Sequence, residues 1–414
     1  MYSLVITIYA FVVWLVSPFN KKAKKMLAGQ KETFAILKEK INPKEKYIWF
    51  HAASSGEFEQ GRPLIEKIRK EKPEYKILLT FFSPSGYEVR KDYKGADVVC
   101  YLPFDFHRNA TRFLDLTQPE MAVFIKYEFW MNYLNQLKKR TIPTYIISAI
   151  FRPDQIFFRW YGKGYRDVLK NFNWFFLQDA NSAELLKELD ICNNVTVSGD
   201  TRFDRVYEIS QQCKDLPLID KFLNKTATDK DFALVAGSTW EEDEDILIPY
   251  FNQHSEIKLI IVPHEFDENR INEIVSKLSR PVVLYSQANE KEVGEADCLI
   301  IDCFGLLSSV YRYGEVAYIG GGFGEGIHNI LEAATYGIPV LFGPNHYKFK
   351  EARDLIYLGG GICVTGGDKF STCMNQFLTY LQFRQESGEK AGKFIRNNLG
   401  ATEQIFDKIF VSCP

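Results

Sequence analysis

The chain has 414 residues, more than one hydrophobic core usually supports, so two domains are expected. Hydrophobic residues make up 46% and charged residues 25% of the sequence, a balance that excludes a disordered protein. The formal net charge of -2 excludes general nucleic-acid binding, which needs a basic surface. The eight cysteines show no metal-ligand spacing, so we expect buried thiols in a reducing compartment and no metal site.

The first predicted element is a hydrophobic helix at the N-terminus. Residues 4–16 carry no charge, and four lysines follow within residues 21–25. As a helix, residues 2–16 would reach roughly 22 Å, short of the ~30 Å hydrocarbon core of a bilayer. The lysines would stay on the cytoplasmic side and meet anionic lipid head groups. We expect a membrane anchor over residues 1–25 that spans or lies on the bilayer; the alternative is a hydrophobic helix packed on the domain.

A first domain is predicted over residues 26–206. Short apolar runs, typical of buried strands, cover residues 47–53, 76–82, 98–102, 121–125, 144–149, 174–178 and 195–198. Helical patterns such as 58–70, 130–139 and 182–189 lie between several of them. Continuous apolar strands separated by crossover helices predict a parallel sheet that is covered on both faces.

A second domain is predicted over residues 231–414, after a polar linker at 207–230. Apolar strands resume at residues 232–236, 258–262, 282–285, 298–301, 316–319, 339–342 and 362–364, with helical patterns at 241–252, 267–278 and 329–336. The predicted fold class is therefore α/β, with two Rossmann-like, doubly wound domains that face a cleft. Ligands of such sheets bind beyond the carboxyl ends of the strands.

Three clusters of small and polar residues follow predicted strands of the first domain. Residues 51–57 read HAASSGE and place Glu57 in the first turn of a helix, where it could also merely complement the helix dipole. Residues 83–86 read SPSG, whose backbone N–H groups could hold a sugar carboxylate or whose serines could only cap a helix. Residues 198–204 read SGDTRFD, in which Arg202 suits a phosphate or an ion pair with Asp200 or Asp204.

The fourth cluster is glycine-rich and follows the predicted strand at 316–319. Residues 319–334 read IGGGFGEGIHNILEAA, and a helix is predicted to start near Asn329. Bare backbone amides and the positive end of that helix predict an anion site. Glu332 would then accept hydrogen bonds from the hydroxyls of a ribose. The loop lacks both the GxGxxG spacing of a dinucleotide fold and the GK[ST] ending of a P-loop.

In combination, these clusters resemble the Kdo transferases of lipopolysaccharide synthesis, where Kdo is 3-deoxy-D-manno-oct-2-ulosonic acid. The resemblance covers almost the whole chain and rests on the apolar N-terminus, the motifs above, YLPFD at 101–105, EFW at 128–130, GIHNILEAA at 326–334 and GPNHYKFKEA at 343–352. It implies a glycosyltransferase B fold, a CMP-Kdo donor in the second domain and a lipid A precursor, lipid IVA, as acceptor near the first. It also implies inversion, no cofactor, no catalytic metal, and a place on the cytoplasmic face of the cell inner membrane.

The resemblance also assigns site residues. Glu57 falls on the family's catalytic base, and the family's CMP contacts fall on Pro263, His264, Gly305, Leu306, Leu307, Asn329, Ile330, Leu331 and Glu332. This chain departs from the family pattern where Lys126 and Leu306 replace glutamates, where His264 replaces an arginine, and where Arg202 replaces a lysine. We predict Glu57 as the base, Arg202 and the helix end after the glycine loop as stabilisers of the departing phosphate, and Lys126 as a partner of the Kdo carboxylate or the phosphate.

Two other functions fit parts of the sequence. An isomerase similar to UDP-GlcNAc 2-epimerase would use the same two-domain fold, but it has no need of a lipid-facing apolar segment. A non-catalytic nucleotide- or lipid-binding relative would explain Lys126 and Leu306 as marks of lost activity. Intact Glu57, Glu332 and the glycine loop count against that second alternative.

Overall fold

The computed structural model describes residues 2–223 and 232–411, which form two compact α/β units. The first unit comprises Met1–Asp204 together with Gly400–Pro414, and the second comprises Arg205–Leu399. Each unit contains one seven-stranded sheet in which every pair of neighbouring strands is parallel.

The first unit is built on strands that run in the order β3-β2-β1-β4-β5-β6-β7. These strands are β1 (Lys46–Ala52), β2 (Tyr75–Phe81), β3 (Val98–Tyr101), β4 (Met121–Ile125), β5 (Thr144–Ala149), β6 (Trp174–Leu177) and β7 (Val195–Val197). Its helices are α1 (Tyr2–Val16), α2 (Lys21–Lys40), α3 (Ser55–Glu71), α4 (Pro84–Arg90), α5 (His107–Thr117), α6 (Met131–Lys139), α7 (Lys163–Leu169) and α8 (Ala180–Lys187), with a 3-10 turn at Ile156–Phe158. All residues of β4 and β5 are buried, as expected when helices cover both faces of a parallel sheet.

The second unit repeats this architecture with the strand order β10-β11-β9-β8-β12-β13-β14. Its strands are β8 (Phe232–Thr239), β9 (Ile257–Pro263), β10 (Val282–Leu284), β11 (Cys298–Ile300), β12 (Val316–Ile319), β13 (Val340–Phe342) and β14 (Gly361–Cys363). Helix α9 (Arg202–Gln211) crosses the boundary between the units. The remaining helices are α10 (Pro217–Phe222), α11 (Glu241–Gln253), α12 (Glu268–Lys277), α13 (Glu290–Glu295), α14 (Leu307–Val310), α15 (Leu331–Ala334), α16 (Lys350–Leu358), α17 (Gly367–Thr379) and α18 (Leu381–Asn397), with a 3-10 turn at Tyr311–Tyr313.

The last helix, α19 (Ala401–Phe410), belongs to the first unit. Its side chains Ile405, Phe406 and Ile409 are buried in the same core as Phe58 of α3. Asp204 fixes the start of this helix, because its carboxylate accepts hydrogen bonds from the backbone amides of residues 400 and 402, at 2.6 and 2.7 Å. The predicted second domain, 231–414, is therefore wrong at its C-terminal end, since the apolar face of α19 completes the first core.

The predicted linker at 207–230 also differs from the structure. Helix α9 continues to Gln211, and α10 buries Ile219 and Phe222 in the second unit. Residues 224–231 lie outside the described residues. A linker was predicted because this stretch lacks an apolar strand, whereas its buried residues Leu216, Ile219, Phe222 and Leu223 have the spacing of a short helix.

Helix α1 packs one side against the first unit. The Tyr2 hydroxyl donates to Asp105 Oδ2 at 2.6 Å, Ile6 is buried beside Met26, and Tyr9 stacks on Phe82. The rest of its surface exposes large apolar side chains, namely Leu4, Val5, Ile8, Phe11, Val12, Trp14, Leu15 and Val16. No single helix among the described residues is long and apolar enough to cross a membrane; α1 and α2 meet that criterion only as a pair, bent by 118° at the break between them.

Candidate functional site

Each sheet has one place where the strand order reverses, between β1 and β4 in the first unit and between β8 and β12 in the second. Helices leave such neighbouring strands on opposite faces, and the crevice beyond their carboxyl ends is the usual ligand site of an open parallel sheet. Most of the predicted site residues follow these strands or their neighbours. The residues after β1, β4 and β5 are called the first-unit site, and those after β8, β9 and β12 the second-unit site.

A buried histidine and glutamate lie at the centre of the first-unit site. His51 Nε2 lies 3.0 Å from Glu128 Oε2, and His51 Nδ1 lies 2.9 Å from the Thr80 hydroxyl. Trp130 Nε1 donates to the same Glu128 oxygen at 2.6 Å. Buried polar groups are costly without such partners, so this network fixes the course of the chain after β4. Neither His51 nor Glu128 was among the predicted site residues.

Glu57 is the third residue of α3 and lies just beyond the carboxyl end of β1. One of its carboxylate oxygens, Oε2, accepts from the Ser54 backbone amide at 3.1 Å and from the Ser54 hydroxyl. This arrangement is a capping box, in which the side chain satisfies backbone donors at the start of a helix. The other oxygen, Oε1, has no hydrogen-bond partner among the described residues. The carboxylate is thus anchored at one oxygen and accessible at the other.

Two cations flank Tyr127 beside Glu57. Lys126 Nζ lies 5.3 Å from the centre of the Tyr127 ring, and Arg152 Cζ lies 5.8 Å from it. Burial raises the pKa of the Tyr127 hydroxyl, the charge of Arg152 opposes the rise, and the charge of Glu57 adds to it. Lys126 has a left-handed backbone, with φ of 68°, which is uncommon for a non-glycine residue and turns the chain sharply at the end of β4. The structure thus places Glu57 and Lys126 around Tyr127, with Arg152, which was not predicted.

Arg202 is held by a buried carboxylate. Its Nε and Nη2 atoms both donate to Asp200 Oδ2, at 2.9 and 2.7 Å, and Gln60 donates to the same oxygen at 3.1 Å. Burial favours the neutral form of Asp200, but the charge of Arg202 and these hydrogen bonds hold the pKa of Asp200 below its ordinary value. The ion pair with Asp200 that the sequence offered as an alternative is therefore present, and it orients the guanidinium.

Three aromatic rings form a stack in the second-unit site. The ring of His264 lies 4.5 Å from that of Trp240 and 4.5 Å from that of His328, measured between centroids. Trp240 Nε1 donates to His328 Nε2 at 3.1 Å. Burial and the neighbouring His264 lower the pKa of His328 to about 4, so its ring is neutral at neutral pH and accepts this hydrogen bond. Trp240 and His328 were not predicted, although each follows a predicted strand end.

The glycine loop after β12 presents fewer bare amides than the sequence predicted. The amides of Gly320, Gly321, Gly324, Gly326 and His328 are bonded within the unit. Gly321 N donates to the buried carboxylate of Asp243 at 2.8 Å, and this carboxylate also accepts from Tyr318 and from the Trp240 amide. The following helix α15 has four residues, not the predicted span 329–336, so its dipole is small. The short helix weakens the dipole contribution to the predicted anion site, which stays a prediction.

The predicted CMP contacts fall into buried and accessible sets. Pro263, Ile330 and Leu331 are buried, so their side chains support the site from behind. Gly305 is exposed with φ of 82°, and Leu306, Leu307, Asn329 and Glu332 are half-buried.

Glu332 is oriented by its neighbours. Asn329 Nδ2 donates to Glu332 Oε1 at 2.9 Å, and Asn329 Oδ1 accepts from the Leu331 amide. Burial raises the pKa of Tyr311, and the charge of Glu332 adds to the rise. A Cβ atom on Gly237 at the end of β8 would lie 2.0 Å from the Tyr311 hydroxyl and 2.7 Å from Leu307, so these contacts gather at the reversal of the sheet.

Comparison with known proteins agrees with this geometry. The family model described as 3-Deoxy-D-manno-octulosonic-acid transferase (kdotransferase) matches residues 28–205. The 3-deoxy-D-manno-octulosonic acid transferase of Aquifex aeolicus is 27% identical over 87% of this chain and 97% of its own length. The enzyme of the same name from Haemophilus influenzae is 25% identical over 88% of this chain and 87% of its own. The chain is a homologue of the Kdo transferases. It is therefore a glycosyltransferase.

Solved structures share the fold. UDP-GlcNAc 2-epimerase from Neisseria meningitidis, bound to UDP-GlcNAc, has a TM-score of 0.60 at 14% identity and covers 88% of this chain and 99% of its own. Anabaena HepE in complex with UDP has a TM-score of 0.58 at 11% identity and covers 89% and 100%. At such identities the likeness concerns the fold alone, which is the glycosyltransferase B fold of two parallel-sheet domains.

Two backbone segments approach each other closely at the glycine loop. A Cβ atom on Gly320 would lie 2.2 Å from the Ser238 carbonyl oxygen, whereas a Cβ atom on Gly324 would meet nothing nearer than 3.8 Å. We expect Gly320→Ala to destabilise the protein by about 1–3 kcal/mol through overpacking, because backbone must move. Gly324→Ala, the matched control in the same loop, should change the free energy of unfolding by less than ~0.5 kcal/mol. Urea unfolding of both variants measures the difference, and equal stabilities would contradict the close packing.

Proposed function

We propose that this glycosyltransferase moves Kdo from CMP-Kdo to a lipid A precursor such as lipid IVA, with inversion at the sugar carbon. The observation that carries the proposal is the similarity to proteins named 3-deoxy-D-manno-octulosonic acid transferase along 87% of the chain. Its site motifs also lie mainly at the strand reversals of the two sheets. CMP-Kdo is a co-substrate in this proposal, and the reaction needs no cofactor and no metal.

Glu57 is suited to act as the general base. A base must be held near the acceptor hydroxyl and must keep an oxygen available for its proton. The capping box holds Glu57 Oε2, and Oε1 is left for the substrate. Removal of the acceptor proton by such a group contributes roughly 10²–10⁴-fold to the rate.

Cations are needed where negative charge develops on the departing CMP phosphate. We assign this role to Arg202, whose guanidinium is oriented by Asp200. Lys126 lies beside Tyr127 on the same unit as the base and is assigned to the carboxylate of Kdo or to a phosphate. In the second unit, Glu332 is held by Asn329 and is assigned to the ribose hydroxyls of CMP.

The nucleotide that the protein prefers distinguishes a Kdo transferase from an epimerase with the same fold. We expect CMP to stabilise the protein against heat and UDP to do so less, because a ligand that binds only the native state stabilises it. At 100 times its Kd a ligand contributes about 2.7 kcal/mol. Differential scanning fluorimetry with CMP, UDP and buffer alone measures the shift in Tm. Stabilisation by UDP and not by CMP would favour the epimerase alternative.

Replacement of the proposed base separates catalysis from capping. We expect Glu57→Gln to abolish Kdo transfer while Tm and the affinity for CMP stay close to those of the parent, because glutamine retains a capping box but takes up no proton. Glu59→Gln is the matched control, since Glu59 lies on the same helix and pairs with Arg90 at 2.7 Å. Mass spectrometry of the lipid product measures transfer. Turnover of Glu57→Gln within a few-fold of the parent would end the assignment and leave Glu57 a helix cap.

We also propose that α1 holds the protein on the cytoplasmic face of the inner membrane. Its exposed side presents apolar side chains, and Lys21, Lys22, Lys24 and Lys25 follow at the start of α2. An apolar helix face beside a lysine cluster is typical of a helix that lies in the bilayer interface. The Tyr2–Asp105 hydrogen bond would keep this helix attached to the acceptor-binding unit.

Substitutions on the exposed side of α1 test this placement without disturbing its packed side. We expect the triple variant Phe11→Ser, Trp14→Ser and Leu15→Ser to bind vesicles with anionic lipid at least tenfold more weakly, because three exposed apolar side chains are lost. The control triple Tyr357→Ser, Tyr380→Ser and Leu381→Ser removes three large side chains, each more than half exposed, from the second unit. Co-sedimentation measures both. Equal binding of parent and α1 variant would place the membrane contact elsewhere.

A further inference from the structure

A cavity of about 550 Å³ lies in the second-unit site, and no part of a substrate has been assigned to it above. Its walls include Trp240, His264 and His328 of the ring stack, together with Phe349, Glu242 and Glu325. The volume is in the range of small-ligand sites, roughly 300–1,000 Å³. Its position beyond β8 and β12 is where an open parallel sheet binds its ligand.

The cavity is rigid on the side of the rings. Asp243 accepts from the Trp240 amide at 3.0 Å and from the Gly321 amide at 2.8 Å, so one buried carboxylate fixes two of its walls. The Trp240 indole is further held by its hydrogen bond to His328. Such pre-organised walls reduce the entropic cost of binding.

The charges in the cavity disfavour an anion. No lysine or arginine lines it, whereas Glu242 and Glu325 both do. Neither carboxylate has a hydrogen bond or ion pair to another described residue. Carboxylates of this kind accept hydrogen bonds from hydroxyl groups, and the charged acceptor makes each such bond stronger than a neutral one. A phosphate would instead be repelled.

The apolar walls favour a ligand group that has a C–H face as well as hydroxyls. Trp240 is 36% exposed, and Phe349 also lines the cavity. A sugar presents C–H groups on one face and hydroxyls around its edge, so an aromatic wall with carboxylates at its rim matches both. His264 lines the cavity and is also a predicted CMP-contact position, so a ligand in the cavity would lie next to the proposed nucleotide.

We propose that this cavity holds the polyhydroxylated sugar of the donor, with its hydroxyls donating to Glu242 and Glu325 and its C–H face on Trp240. The proposal rests on the donor assignment made above and adds the position of the sugar. The carboxylate of the sugar and the phosphate of the nucleotide stay outside the cavity, because the two glutamates repel them.

The double variant Glu242→Gln with Glu325→Gln tests the proposal. We expect the KM for CMP-Kdo to rise at least tenfold, while the inhibition constant of CMP as a competitive product inhibitor stays within twofold of the parent. CMP lacks the sugar and should not sense the cavity. Glu241→Gln is the matched control, because Glu241 lies in the same helix turn, is exposed and does not line the cavity. Its KM should equal that of the parent.

Three results would overturn the proposal. An unchanged KM for CMP-Kdo in a correctly folded double variant, checked by its Tm, would show that the sugar lies elsewhere. An equal loss of CMP and CMP-Kdo binding would make the cavity part of the nucleotide site. A parent protein that neither binds CMP nor transfers Kdo would overturn the proposed function itself, and this sugar site with it.

Discussion

The reversal of strand order inside each parallel sheet is the constraint on which the sites depend. At the pairs β1–β4 and β8–β12, the helices that follow the two strands lie on opposite faces of the sheet. The loops after these strands therefore separate. Polar side chains can then be placed at the centre of a unit without breaking the hydrogen bonds of a strand. Each unit places a buried carboxylate there, Glu128 in the first and Asp243 in the second, and surrounds it with donors. These two carboxylates organise the loops that carry the exposed site residues.

Asp243 also shapes the glycine-rich loop. Its carboxylate accepts a hydrogen bond from the Gly321 amide, so this amide is not available to an anionic ligand. The glycines also serve close packing: a Cβ atom on Gly322 would lie 2.5 Å from the Cα atom of Gly343, the residue that follows β13. A glycine-rich loop after a strand therefore has two physical origins, and only the contacts of its amides distinguish a ligand site from a packing site.

Sequence patterns predicted the strands well, because a strand that is buried on both faces of a parallel sheet is apolar along its whole length. All fourteen predicted strands are present among the described residues, and β4, β5 and β12 have the predicted bounds. The attachment of α19 was missed because an amphipathic helix pattern does not say which core it covers. The ring stack was missed because Trp240, His264 and His328 are far apart in sequence and form no motif. The internal hydrogen bonds of the glycine loop were missed because a sequence does not show which acceptors its backbone amides bond.

The return of α19 to the first unit bears on how the chain is made. The first core is completed by residues that follow the whole second unit, so on a ribosome it stays unfinished while Arg205–Leu399 is synthesised. At synthesis rates of roughly 5–20 residues per second this interval lasts about 10–40 s. During that time the surface of α3 that α19 later covers, including Lys67, which pairs with Glu403 of α19, is open to solvent or to a chaperone. A chain that ends before α19 would therefore lack part of the core of the first unit, although that unit is translated first. The second unit would keep all its residues.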